Sequence, residues 1–170
     1  MAFAYKYMSS PVGQLTLIAS DKGLAAILWE NDKPDRVHAT ADEQQDTHPV
    51  LVETEQQLNE YFAGSRSSFT IALDPIGTTF QQAVWKALQT IPFGETRTYM
   101  QIALQLGNPK AVRAVGAANG KNPISIIVPC HRVIGSSGSL TGFAGGLAAK
   151  AQLLSLEGIG SSTNQIEIPW

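Results

Sequence analysis

The chain is poor in cysteine, in charge and in long apolar runs. One cysteine in 170 residues, Cys130, leaves no internal disulfide to form. That excludes a disulfide-stapled secreted domain and fits a reducing compartment. No apolar run approaches the roughly 20 residues of a membrane span. The opening MAFAYKYMSSPVGQL lacks the apolar segment of a secretory leader. A soluble, cytoplasmic protein with no membrane partner is therefore expected. Charged residues make up only 15%, but hydrophobic ones reach 44%, so the composition is that of a globular chain and not a disordered one.

The few charges are unevenly placed. Residues 1–94 carry six basic residues against eleven acidic ones. Residues 95–150 carry Arg97, Lys110, Arg113, Lys121, Arg132 and Lys150 against Glu95 alone. The second stretch presents a positive field to an anionic partner.

Periodicity divides the chain in the same region. Residues 3–8, 14–20 and 24–30 read as short strands broken by Pro11, Gly13 and Asp21-Lys22-Gly23. Residues 31–48 read as a polar loop. Residues 49–63 place Leu51, Leu58 and Phe62 at helical spacing behind Pro49, and SFTIAL reads as a further strand. From Gly77 onward the pattern is mostly helical. Phe80, Val84, Leu88 and Ile91 form one apolar stripe. Thr98 and Gln101 match a capping box for a helix that stops at Gly107. Asn108 and Pro109 have the residue types of an N-cap and first turn for another helix, ending near Gly120. Two short helices on a glycine turn have the form of a helix-turn-helix. The expectation is an α+β fold. An N-terminal unit (1–76) holds an antiparallel sheet and a helix. A mostly helical C-terminal domain (77–158) and a tail (159–170) follow.

The second of these helices, PKAVRAVGAANG, is nearly bare. Ala111, Val115 and Ala118 share one face, while Val112, Arg113, Gly116 and Ala117 share the other. A major-groove reader needs polar side chains, and only Arg113 projects. Small residues suit a narrow groove, and equally a tight packing helix inside the domain.

Cys130 sits in IIVPCHRVIG, with Pro129 before it and His131 and Arg132 after it. Neighbouring cations favour a thiolate. A glycine-rich loop, GSSGSLTGFAGG, follows and can offer unhindered backbone N–H groups. Glu157 closes the last helical stretch, where a carboxylate could orient His131 in a Cys/His/acid relay. In an extended segment Cys130 and His131 would point to opposite faces, so their cooperation requires the chain to turn there or a bridging water.

The stretch NPISIIVPCHRVIG resembles the acceptor site of the O6-alkylguanine-DNA alkyltransferases of the bacterial single-chain kind. Asn122, Arg113 in AVRAVGAANG, Tyr99 in GETRTY, TGFAGG and Glu157 support the likeness across residues 77–158. The resemblance implies a double-stranded DNA partner carrying O6-alkylguanine, with O4-alkylthymine as a further substrate. It implies no cofactor, no metal and no obligate protein partner. His38 and His48 lie in the polar loop and are expected in solvent. Cys130 would take the alkyl group once and irreversibly. His131, held by Glu157, would deprotonate the thiol through a water. Tyr99 would donate a proton or a hydrogen bond to N3 of the departing guanine, and Asn122 would brace the turn. The bare helix, with Lys110, Ala111, Val112, Ala114 and Gly116, would lie in the minor groove beside Thr98 and Arg132. Arg113 would replace the flipped base. Val133, Phe143 and Ala144 would line the pocket: the carbonyls of Cys130 and Val133 would meet the exocyclic amine and the Ala144 N–H would meet O6. Phe143 stands where many relatives have tyrosine, and Ala144 where some have serine. The competing readings are a lesion binder without chemistry, which would lack the cysteine, a Cys/His hydrolase, and a helix-turn-helix regulator.

Overall fold

The computed structural model describes residues 2–138 and 140–159; the expected tail lies outside them from residue 160 onward. The chain forms two compact units. The first is Met1–Ile76 with Pro123–Ile127; the second is Gly77–Asn122 with the chain from Val128 onward.

In the first unit, β1 (Ala4–Met8), β2 (Leu15–Ala19) and β3 (Leu24–Leu28) form an antiparallel meander. A short β4 (Glu43–Gln44) adds in parallel at the β1 edge, giving the order β3-β2-β1-β4. Helix α1 (Pro49–Phe62) buries Leu51, Leu58 and Tyr61 fully, and Leu15, Leu17 and Ile27 are equally shielded. His48 is not simply solvated: its Nδ1 accepts from the Val50 N–H and caps α1.

Two expectations fail here for identifiable reasons. SFTIAL forms no strand. The Thr70 N–H donates to Gln57 Oε1 on α1, and only Leu73 pairs, with Leu24. A helix side chain has taken the backbone group that a ladder would need. The other is Pro123–Ile127, which lies inside the expected C-terminal domain but completes the first unit. Ile27 N–H donates to the Pro123 carbonyl (2.8 Å), and Trp29 Nε1 donates to Ser125 Oγ (3.1 Å). This segment covers the Ile27 end of the β3 edge, as Leu73 covers it at Leu24, and protects it from mispairing. Within it, Ile126 has φ 76°, and Ile127 N–H reaches the Ser125 carbonyl across it. This is a strained γ-turn that an isoleucine adopts only when its surroundings impose it.

In the second unit, α2 (Thr79–Leu88) starts at a Thr78/Gln81 capping box. Trp85 is buried and its Nε1 donates to the Ala118 carbonyl (2.8 Å), joining α2 to α4 (Val112–Gly120). A Cβ on Gly77 would lie 2.3 Å from the Trp85 ring, so only glycine fits there. β5 (Arg97–Thr98) leads directly into α3 (Tyr99–Gln105), which carries the expected Thr98/Gln101 box. The turn after α3 uses Gly107 at φ 76°. Asn108 makes no cap. It precedes proline, which pushes it out of the helical region (φ −137°, ψ 78°), and Pro109–Ala111 form a 3₁₀ turn before α4 begins. β6 (Val133–Ile134) pairs in parallel with β5, and α5 (Leu147–Leu156) ends the described fold.

Candidate active site

Proline places the thiol. Pro129 (φ −82°, ψ 64°) is the centre of an inverse γ-turn, closed by Cys130 N–H to the Val128 carbonyl at 2.8 Å. Its ring fixes φ near the value this turn requires. The chain then winds into a 3₁₀ turn, Cys130–Arg132. Cys130 and His131 therefore do not alternate across an extended strand. Asn122 Nδ2 donates to the same Val128 carbonyl (2.8 Å), so Asn122 braces the turn at its root.

Cys130, His131 and Arg132 are all buried. Glu157, at the C-terminal end of α5, gathers the last two. His131 Nε2 meets its Oε2 at 2.7 Å, Arg132 Nε donates to Oε1 at 2.8 Å, and Arg132 Nη2 donates to Oε2 at 3.1 Å. The Gly94 N–H adds a bond to Oε1 at 3.2 Å. A carboxylate at a helix C-terminus opposes the helix dipole, so these donors offset both dipole and burial.

The contacts assign the histidine tautomer. Ionised Glu157 can only accept, so Nε2 carries the hydrogen. Burial pushes His131 below its ordinary value, against the pull of Glu157; Arg132 and Lys150 push in the same direction as burial. The ring is thus neutral, with its lone pair at Nδ1. Nδ1 is buried and has no hydrogen-bond partner among the described residues.

Arg132 requires a correction. Expected at the DNA surface, it is instead buried, held by Glu157, by the Ile91 carbonyl (2.7 Å) and by the Phe93 ring 5.8 Å away. Lys150, one of the cations of the basic stretch, is not on the surface either. It is fully buried, and its Nζ donates to the Val133 carbonyl (2.7 Å) and the Thr141 carbonyl (3.4 Å). Burial holds it down to about 8, and the charge of Cys130 raises it in part. Lysine in LAAKAQLLSL looks like a solvated helix residue; only its spacing, with the buried Leu153 and Leu154 one turn on, hinted otherwise.

Tyr99 opens α3, and the β5–β6 ladder sets it beside the reactive turn, because Thr98 pairs with Ile134. Its hydroxyl bonds Thr141 in the glycine-rich loop. Burial raises Tyr99, Thr141 lowers it, and the charge of Cys130 raises it further, so the phenol keeps its proton. The Val133 carbonyl accepts from Lys150 and the Cys130 carbonyl from the Val133 N–H. Phe143 and Ala144 are half-buried in the same loop.

On α4, Val115 and Ala118 are buried, while Arg113, Ala114 and Ala117 are exposed. Arg113 and Lys110 make no hydrogen bond or ion pair among the described residues. Gly116 faces the Tyr99 ring: a Cβ there would lie 3.9 Å from Cδ1 and Cε1. Thr98 is engaged as the α3 cap. Among the described residues no helix is long and apolar enough to cross a membrane, and no group of three His, Cys, Asp or Glu could hold a metal.

Two family descriptions match this chain: "6-O-methylguanine DNA methyltransferase, DNA binding domain" over residues 79–159, and the "ribonuclease-like domain" of the same family over 3–75. The chain belongs to this family. The methylated-DNA–protein-cysteine methyltransferase of Mycobacterium bovis is 52% identical over 155 residues, which are 90% of this chain and 91% of that one. The Methanosarcina acetivorans protein of the same name is 49% identical, over 91% of this chain and 97% of its own length. A crystal structure of Mycobacterium tuberculosis OGT in complex with DNA superposes with a TM-score of 0.81 at 50% identity, covering 91% of this chain and 93% of that one. The O6-methylguanine-DNA methyltransferase of Pyrococcus kodakaraensis shares the fold at 19% identity and a TM-score of 0.54.

Proposed function

We propose that this chain repairs DNA by moving an alkyl group from O6-alkylguanine to Cys130, irreversibly and once per molecule. The observation that carries the reading is the buried Cys130–His131–Glu157 arrangement with a bare Nδ1, in a chain of this family. His131 Nδ1 takes the thiol proton through an intervening water. The thiolate attacks the alkyl carbon; the S–C bond forms as the C–O6 bond breaks. Tyr99 gives its proton to N3 of the departing guanine and regains one from solvent. A guanine anion leaves poorly, so protonation lowers the barrier. The products are a thioether and guanine, and the thioether has no hydrolytic exit. No cofactor takes part.

The same reading gives the surface its purpose. Exposed Arg113, Ala114 and Ala117 on α4 fit a minor groove about 6 Å wide, with Lys110 on a phosphate. The damaged base is flipped out at a cost of a few kcal/mol, and Arg113 fills the gap. Lys150, bonded to the carbonyls of Val133 and Thr141, holds the glycine-rich loop against the reactive turn. Peptide mapping after incubation with O6-methylguanine duplex tests this. The methyl belongs on Cys130, and Cys130→Ser keeps duplex affinity without acquiring mass. Duplex binding by the wild type without any thiol modification would leave a lesion binder instead.

A further inference from the structure

The guanidinium of Arg132 is withdrawn from solvent. It is buried, and Nε and Nη2 approach the two different oxygens of Glu157, the same carboxylate that receives His131. Nη1 is tied to the Ile91 carbonyl, and Phe93 lies against the guanidinium. A planar fork on a carboxylate fixes both its orientation and its charge balance. We propose that Arg132 is a positioning residue for the proton transfer: it holds Glu157 so that His131 stays a neutral base with its free nitrogen at Nδ1. The inference rests on the alkyl-transfer reading and extends it from the acceptor to the group that keeps the acceptor's base ready.

The charges facing the imidazole explain why such a residue is required. Glu157 approaches from the end of α5 and favours imidazolium. Arg132 in the same turn and Lys150 on α5 oppose it; the charge of Cys130 acts in turn on Lys150 and Tyr99. With Glu157 alone, a buried His–Glu contact tends to settle as an ion pair with the imidazole already protonated. A protonated ring cannot accept the thiol proton. Pairing Glu157 with a permanent cation removes most of that pull while leaving the Nε2–H···Oε2 bond that sets the tautomer. An arginine cannot lose its charge over any relevant pH, and its planar fork fixes the orientation of both oxygens, which the compact ammonium of a lysine does not.

The test is the nitrogen spectrum of the His131 ring in the unalkylated full chain, followed between about pH 5 and 8. The wild type, Arg132→Lys and Arg132→Met are compared, alongside the pH–rate profile of each with the free base O6-benzylguanine. The wild type is expected to show a neutral ring protonated at Nε2 down to below about pH 6.5. In Arg132→Met the imidazolium should persist upward by about one pH unit or more, and the acid limb of the rate should move with it. Arg132→Lys should fall between. If Arg132→Met does not fold, the Lys variant alone decides, because it keeps the charge and loses the fork. The spectra require no alkyl donor. A failure of transfer to Cys130 would therefore appear as an unmodified thiol with the ring titration still shifted. An unshifted ring in the folded variants, with only stability or rate reduced, would reduce Arg132 to a structural brace and overturn the proposal.

Discussion

At Lys150 and His131 burial disfavours the protonated form of two bases, and each leaves a separate signature in stability. Lys150 sits at about 8 in the fold against an ordinary 10.5. Between those values the unfolded chain binds more protons than the folded one. Stability should therefore rise with pH across the window from about 8 to about 10, and the cost of burying the charge is fully present below it. Comparing denaturation midpoints of wild type and Lys150→Met should show the difference changing in that window; a constant difference would contradict the burial argument. His131 is also depressed. The unfolded chain takes up a proton that the folded one refuses, so stability should fall as pH drops through about 6.5. His131→Gln should flatten that part of the curve. The sequence made Cys130, His131 and Glu157 legible because chemistry-bearing residues stand out. Lys150 and the true partner of Arg132 were hidden, because one-dimensional context marks both as surface cations. Only packing turns them inward.

Among the elements, two short ones do most of the positioning. The β5–β6 pairing and the α3 capping box together fix Tyr99 beside the reactive turn. Thr98→Ala removes the cap and should cost about 1 kcal/mol of stability. It should also slow transfer more than it alters DNA affinity, measured as single-turnover rate against binding. An effect on affinity alone would assign Thr98 to DNA contact. On α4, Arg113→Ala should lose roughly 5–150-fold in rate on duplex, corresponding to about 1–3 kcal/mol in the flipped state. O6-benzylguanine requires no flipping and should react at close to the wild-type rate. Equal losses on both substrates would place Arg113 in the fold and not in the base stack. Strands β1–β3 and helices α1–α3 were readable from period and caps. SFTIAL and the Asn108 cap were not, because a Gln57 side chain and the restriction before Pro109 overrode local propensity. The two-residue strands β4, β5 and β6 are too short to leave a periodic trace.

For the whole molecule, acidic residues dominate before residue 95 and basic ones between 95 and 150, where Arg132 and Lys150 are buried and Lys110, Arg113 and Lys121 are exposed. With a helix face that offers no base-reading side chain except Arg113, binding to undamaged duplex should be weak, salt-sensitive and largely indifferent to sequence. A strong preference for one undamaged sequence, or affinity that hardly changes with salt, would contradict this. That Pro123–Ile127 leaves the second unit to complete the first was invisible in the sequence, since an apolar run does not reveal which core it enters. The central claim, however, concerns a single bond. Intact mass of the full chain after exposure to excess O6-methylguanine duplex tests it most directly. One methyl per protein, reached once and never exceeded however much substrate is supplied, is the expected result. Continued release of repaired duplex from a chain whose mass does not change would contradict the account.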